Sequence, residues 1–333
     1  MTQALIQTTI GKPGNFALVG LKDLNGPKLM LYNRDNTTSG GQRWNPGPTA
    51  TPSDAFISGG ATSSGAIIQS TIGTPDKPGS FEVLVLEANK QLMHYDKDAH
   101  ESPWLGQPTV VSREATGPAS FIQSSFGTPQ FDGNFEAVVL EGSNLVHYYR
   151  DNSKDDHPWH RTVVITSKAT GPGSIIQSSY GTPNHPGNFE VIVPEGGNLV
   201  HYYRDNSANG YPWHYVTTIT SKATGPGCLI QSTFGTPCLG NFEVVVLEGT
   251  ELVHYWRDNS DVKQPWHKTV AITTGATHSG SLIQSNYGTP YAPGNFEVVV
   301  LEGHDLVHYW RDNTPGSGFP WHKTIIVANN MLG

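Results

Sequence analysis

The chain has 333 residues, 10% of them aromatic and 14% charged, with a formal net charge of −8. Without a lysine or arginine run, that balance argues against a nucleic-acid partner, and no apolar stretch reaches the roughly 20 residues that span a bilayer as a helix. Met1-Thr2-Gln3-Ala4-Leu5 lacks the charged and apolar regions of a signal peptide, so the expectation is a cytoplasmic protein or one released by a non-Sec route, with no membrane insertion.

A Gly-Asn/Ser-Phe triplet begins at Gly14, Gly79, Gly133, Gly187, Gly240 and Gly294, at spacings of 65, 54, 54, 53 and 54 residues. So regular a period marks a repeat architecture, with units at about 4–60, 65–114, 119–168, 173–222, 227–274 and 280–328 forming one domain. Unit one keeps Leu5-Ile6-Gln7 and Asn33-Arg34-Asp35-Asn36 but has Leu31 where later units have His, and Trp44-Asn45 where they have Trp-His. Its stretch from Thr37 to Asp54 is rich in Gly, Pro, Thr and Ser and reads as a surface loop. Unit two keeps His94-Tyr95, replaces the later Arg-Asp-Asn string by Asp96-Lys97-Asp98-Ala99, and has a fourth strand expected to begin at Trp104-Leu105.

Units three to six are near copies. In unit six, four short segments bounded by Gly, Pro, Asn or Asp read as strands: Leu282 to Ser285, Phe296 to Leu301, Leu306 to Arg311 and Trp321 to Val327. No helical period separates them, so the predicted fold is all-β, a six-bladed β-propeller with four antiparallel strands per blade. The second strand is apolar at nearly every position because neighbouring blades cover both of its faces. If the Ile-Gln-Ser strand is innermost, the ring closes only by packing of blade six on blade one, which is the reading preferred here; if it is outermost, Leu5 to Thr9 complete the last blade as a clasp.

Cys228 and Cys238 fall toward opposite ends of a strand, about 20 Å apart at 3.3 Å per residue, too far for a disulfide. The Glu at Glu82, Glu136, Glu190, Glu243 and Glu297 and the His of strand three recur together. A hairpin pairing Leu301 with Leu306 turns Glu297 and His308 to one face, where a buried carboxylate and imidazole can share a hydrogen-bond network. A metal needs three or four converging ligands, whereas the repeat spreads these groups around a ring, so neither metal nor cofactor is expected. Asp and Asn of the Arg-Asp-Asn string suit a hairpin corner. Arg suits either bidentate contacts to hydroxyls or carboxylates, or an ion pair with a Glu such as Glu302 or Glu297.

Repetition itself separates function classes. A propeller enzyme builds one site from different residues on different blades, whereas equivalent residues in units three to six imply several equivalent sites and avidity for a multivalent surface. An apolar strand, a Glu-Gly turn, an aromatic-rich strand with Arg and then a Trp opening the next strand resemble the repeats of fucose-binding β-propeller lectins of the fungal and bacterial type. The resemblance implies pockets between adjacent blades that combine an Arg, a Glu and aromatic rings. By position it carries over to Arg150, Arg204, Arg257 and Arg311, to Glu141, Glu195, Glu248 and Glu302, and to Trp159, Trp213, Trp266 and Trp321, beside Tyr149, Tyr203, Trp256 and Trp310. The implied function is a multivalent lectin with glycan partners, with sites at blades three to six and blades one and two weak or empty. Two alternatives stay open: a protein-interaction platform, and a sialidase- or lyase-like enzyme whose odd first-blade loop caps a central site.

Overall fold

A computed structural model of the chain describes residues 3–11, 14–37, 43–46, 55–72, 79–98, 104, 107–126, 132–180, 187–236, 239–261, 263–287 and 293–333. Six antiparallel sheets follow one another along the chain, each with its strands in sequence order from first to fourth. Blade six consists of Ser281–Gln284, Phe296–Glu302, Asp305–Arg311 and Trp321–Ala328. A helical turn, Ala88–Lys90, replaces the Glu-Gly turn in blade two.

First strands of successive blades touch one another, and Ser281–Gln284 touches Leu5–Gln7, so the Ile-Gln-Ser strand is innermost. Leu5–Gln7 pairs with Phe16–Asp23 of its own blade, as the preferred closure requires. Packing is nevertheless not the only closure. The Leu5 amide donates to Ser281 Oγ at 3.1 Å, and the C-terminal tail lies against blade one, with the Leu332 amide on Leu21 O and the Asp23 amide on Asn330 O.

Around the inner ring the same device recurs. The Ile175 amide donates to Ser120 Oγ, Leu229 to Ser174 Oγ and Leu282 to Cys228 Sγ. Blade two has Ala66 at this position, and Gln3 fills the gap by accepting from the Phe121 amide and from Ser120 Oγ. Cys228 is thus a buried free thiol in a serine's place, its pKa pushed up by burial to about 11. Cys238 lies outside the described residues, as does most of the stretch from Thr37 to Asp54.

The register in blade six is the expected one, with Leu301 opposite Leu306 and Phe296 opposite Arg311. Blades three to five repeat it. The second strands are buried almost throughout, because each blade's apolar faces meet its neighbours in shared core clusters such as Phe296, Val298 and Val300 against Val245 and Leu247. The signature glycine has a steric cause: a Cβ on Gly240 would lie 1.7 Å from Ser232 O, and one on Gly294 1.6 Å from Ser285 O. No side chain fits where the first and second strands pass this closely.

Two fourth strands depart from expectation. In blade two, Trp104 precedes the strand, which is Thr109–Ser112. In blade one, the outer strand is split into Trp44–Asn45 and Phe56–Ser58, both paired with Pro27–Arg34.

Candidate functional site

Arg311 ends the third strand of blade six, directly between Phe296 on one side and Trp321 on the other. Its guanidinium is buried, 4.2 Å from the centre of the Phe296 ring and 5.3 Å from that of Phe234 in blade five. An arginine in such a slot gains cation–π attraction on both faces and keeps its in-plane N–H groups for other partners. One of these, Nε–H, donates to Asn313 Oδ1 at 2.6 Å, while Asn313 Nδ2 donates to Gly294 O. Asn is therefore a clamp that aims the arginine. Asp312 accepts from the Thr314 amide, so the corner residues have the turn role expected of them.

Burial pulls the Arg311 pKa down to about 10, and the carboxylate opposing that shift is Glu243 of blade five. The same relation joins Arg204 to Glu136, Arg257 to Glu190 and Arg150 to Glu82. Each of these Glu residues accepts from His Nε2 of its own blade at 2.8 Å; the pairs are Glu82–His94, Glu136–His147, Glu190–His201, Glu243–His254 and Glu297–His308. A serine hydroxyl holds the other oxygen, as Ser232 Oγ does on Glu243. The expected Glu–His network exists, and it also fixes the carboxylate that faces the next blade's arginine.

Between blades five and six this produces a cavity of about 360 Å³, lined on one side by Phe234, Asn241, Glu243, Trp256, Thr269 and Val270 and on the other by Arg311, Phe319 and Trp321. Between blades three and four an equivalent cavity of about 300 Å³ contains Glu136, Tyr149 and Thr162 with Arg204, Tyr211 and Trp213. Arginine and tryptophan come from the later blade, the carboxylate and the third-strand aromatic from the earlier one. Those aromatics are stacked on the His that follows the fourth-strand Trp of their own blade: Tyr149 on His160, Tyr203 on His214, Trp256 on His267 and Trp310 on His322, at 4.5 to 4.9 Å.

This pairing corrects two expectations. Glu141, Glu195, Glu248 and Glu302 do not join the arginines. Glu302 pairs with Asp305 at the far end of the hairpin whose near end pairs Phe296 with Arg311, about 20 Å away at 3.3 Å per residue. It accepts from Tyr309 Oη, from Thr273 Oγ1 of blade five and from Lys323 Nζ. Burial would raise its pKa, but these three bonds outweigh it and hold the carboxyl below its ordinary value. Glu141, Glu195 and Glu248 make the corresponding bonds to Ser112, Thr166 and Thr220. They are struts between blades on the face opposite the cavities.

The second correction concerns number. Blade one contributes Arg34, whose Nη1 lies 3.4 Å from His308 Nδ1 of blade six and whose guanidinium covers Phe16 and Tyr287. Trp44 lies against the same histidine. Blade two contributes Glu82 and His94 to Arg150 and Trp159 of blade three. Five seams therefore carry the Arg–Glu–Trp set. Blades one and two fall short only toward each other, where Ala17, Leu31 and Lys97 stand in for Glu, His and Arg.

No family model matches the sequence, and no curated protein is similar to it by sequence. By structure the chain is similar to the fucose-specific lectin from Aleuria aurantia, with a TM-score of 0.66 at 15% identity over 98% of this chain and 95% of that one. The BP39L lectin from Burkholderia pseudomallei gives 0.62 at 15% over 98% and 84%, and the SapL1 lectin 0.54 at 11% over 97% and 98%. At these identities the likeness establishes the six-bladed fold.

Proposed function

We propose that the protein is a multivalent carbohydrate-binding protein whose ligand sites are the five Arg–Glu–Trp seams. The observation that carries this reading is the repetition of one charged and aromatic set across five seams, all at the same end of the sheets. A pyranose presents an apolar C–H face that stacks on an indole and hydroxyls that both donate and accept. Trp321 and Trp256 offer the rings, Arg311 the donors and Glu243 the acceptor in a partly desolvated site, where charge-assisted hydrogen bonds are strong. The structurally similar lectins support the choice of first ligand, since a mutant of the A. aurantia lectin was solved in complex with Fucα1-6GlcNAc and SapL1 in complex with α-methyl fucoside.

A glycan array with the intact protein, followed by calorimetric titration of the hits, tests the reading. Binding with about five sites per chain supports it. A silent array, or one saturable site per chain, would refute it.

A further inference from the structure

The five seams share their charged set but not their outer lip. Directly before the proline that precedes the fourth-strand tryptophans of blades three to six stand His157, Tyr211, Gln264 and Phe319. All four have left-handed backbones, with φ of 42°, 48°, 45° and 55°. Non-glycine residues hold that conformation only where the surroundings over-determine it. Here the Tyr211 and Gln264 amides close turns onto Ala208 O and Asp261 O, while Pro212 O and Pro320 O accept from Asp205 and Asp312. Glycine would be the unstrained choice, and in two of these loops it stands one residue earlier, at Gly210 and Gly318. The strained position carries a side chain instead.

Three of these lips, Tyr211, Gln264 and Phe319, are matched to a residue across the seam. Tyr211 meets Phe126 edge-on at 5.6 Å and Phe319 meets Phe234 edge-on at 5.7 Å, each ring also lying over the pocket arginine. Between blades four and five the pair is polar: Gln264 Nε2 donates to Tyr180 Oη at 2.8 Å, and that hydroxyl donates to Asn259 O. Tyr211 is 49% exposed and Phe319 41%, so core burial does not explain their rings, and the free face of each borders the cavity.

We infer that these three lips sort the sites they border into two ligand classes. The aromatic lips, Tyr211 and Phe319, favour a sugar edge that carries C–H or methyl groups, because such an edge buries ring surface without stranding a hydroxyl. The Gln264–Tyr180 lip favours an edge that carries a hydroxyl, which can exchange hydrogen bonds with the amide. This inference rests on the carbohydrate reading above. Discrimination on the order of tenfold per site is expected, the scale on which an apolar wall distinguishes ligands differing by one small group.

The test is a calorimetric titration with methyl α-L-fucoside, methyl α-L-galactoside, which differs from it only by a hydroxyl on C6, and the mono-O-methyl ethers of both. The wild-type protein should show two classes of site for at least one pair of these probes. Tyr180→Phe with Gln264→Phe should move one site from the hydroxyl-preferring class to the other, and Phe319→Gln should move one site back, with melting temperatures near the wild-type value. If all five sites bind and the lip exchanges leave the class counts unchanged for every probe, the inference is wrong and the carbohydrate reading stands. If no probe binds at any seam, the inference fails, and the glycan array alone decides the carbohydrate reading.

Discussion

The seam between blades five and six and the seam between blades one and two are built on one backbone plan with different chemistry. In the first, Arg311 lies 6.0 Å from Trp321; in the second, Lys97 lies 5.9 Å from Trp104. Lys97 is paired with Phe81 as Arg311 is with Phe296. Yet Ala17 replaces the carboxylate and Leu31 the imidazole, and both are fully or nearly fully buried in the core. One closed ring contains both seams. The Arg–Glu–His set is therefore not a requirement of the propeller, and its presence in five seams calls for a reason other than folding.

The largest effect should come from a feature both seams share. Gly240→Ala forces a Cβ into Ser232 O, and a loss of about 3 kcal/mol or more is expected, read by urea denaturation; Gly79→Ala, in a blade without the arginine, should cost a similar amount. Next comes a change confined to one kind of seam. Arg311→Ala should reduce the titrated number of sites from five to four while lowering stability by only about 1 to 3 kcal/mol. A collapse of the fold would instead make the arginine a strut. The reverse experiment sharpens the contrast: Ala17→Glu, Leu31→His and Lys97→Arg together place the missing set in the degenerate seam, and a sixth site should appear in the titration.

The smallest effect is on pH dependence. Burial lowers the pKa values of His201 and His254, although the bonded carboxylates Glu190 and Glu243 act the other way. The unfolded chain then takes up protons before these imidazoles do, so stability should fall as pH drops below about 6.5, the ordinary histidine value. His254→Gln should flatten that slope, which a series of melting curves between pH 7 and 5 would reveal.

The propeller was legible because its signals are local. Strand lengths, the glycine triplet and the apolar second strand each reflect contacts within one blade, and the Glu297–His308 pair followed from a hairpin register that the turn dictates. The site was legible in composition but not in assembly. Glu302 and Arg311 are neighbours in the sequence, yet strand geometry sends them to opposite faces, whereas Glu243 and Arg311 are 68 positions apart and share a cavity. Sequence distance measures position along a blade, and the cavities run between blades. Phe319 and Tyr211 gave no periodic signal, since they sit in turns of varied sequence; the only cue was an aromatic residue immediately before Pro-Trp.

The way the ring closes also bears on how it forms. Hydrogen bonds between consecutive blades such as Ser112–Glu141, Ile175–Ser120 and Gln264–Tyr180 join residues 29, 55 and 84 positions apart, but the Leu5 amide and Ser281 Oγ are separated by 276. Loop-closure entropy makes that contact costlier to establish before the intervening blades exist. Hairpins and neighbouring blades should therefore assemble first, as an open arc, and the tail from Asn330 to Leu332 should dock on Leu21 and Asp23 last. Until it does, blades one and six each present an uncovered apolar face, and that half-formed arc is the species most prone to capture a second chain.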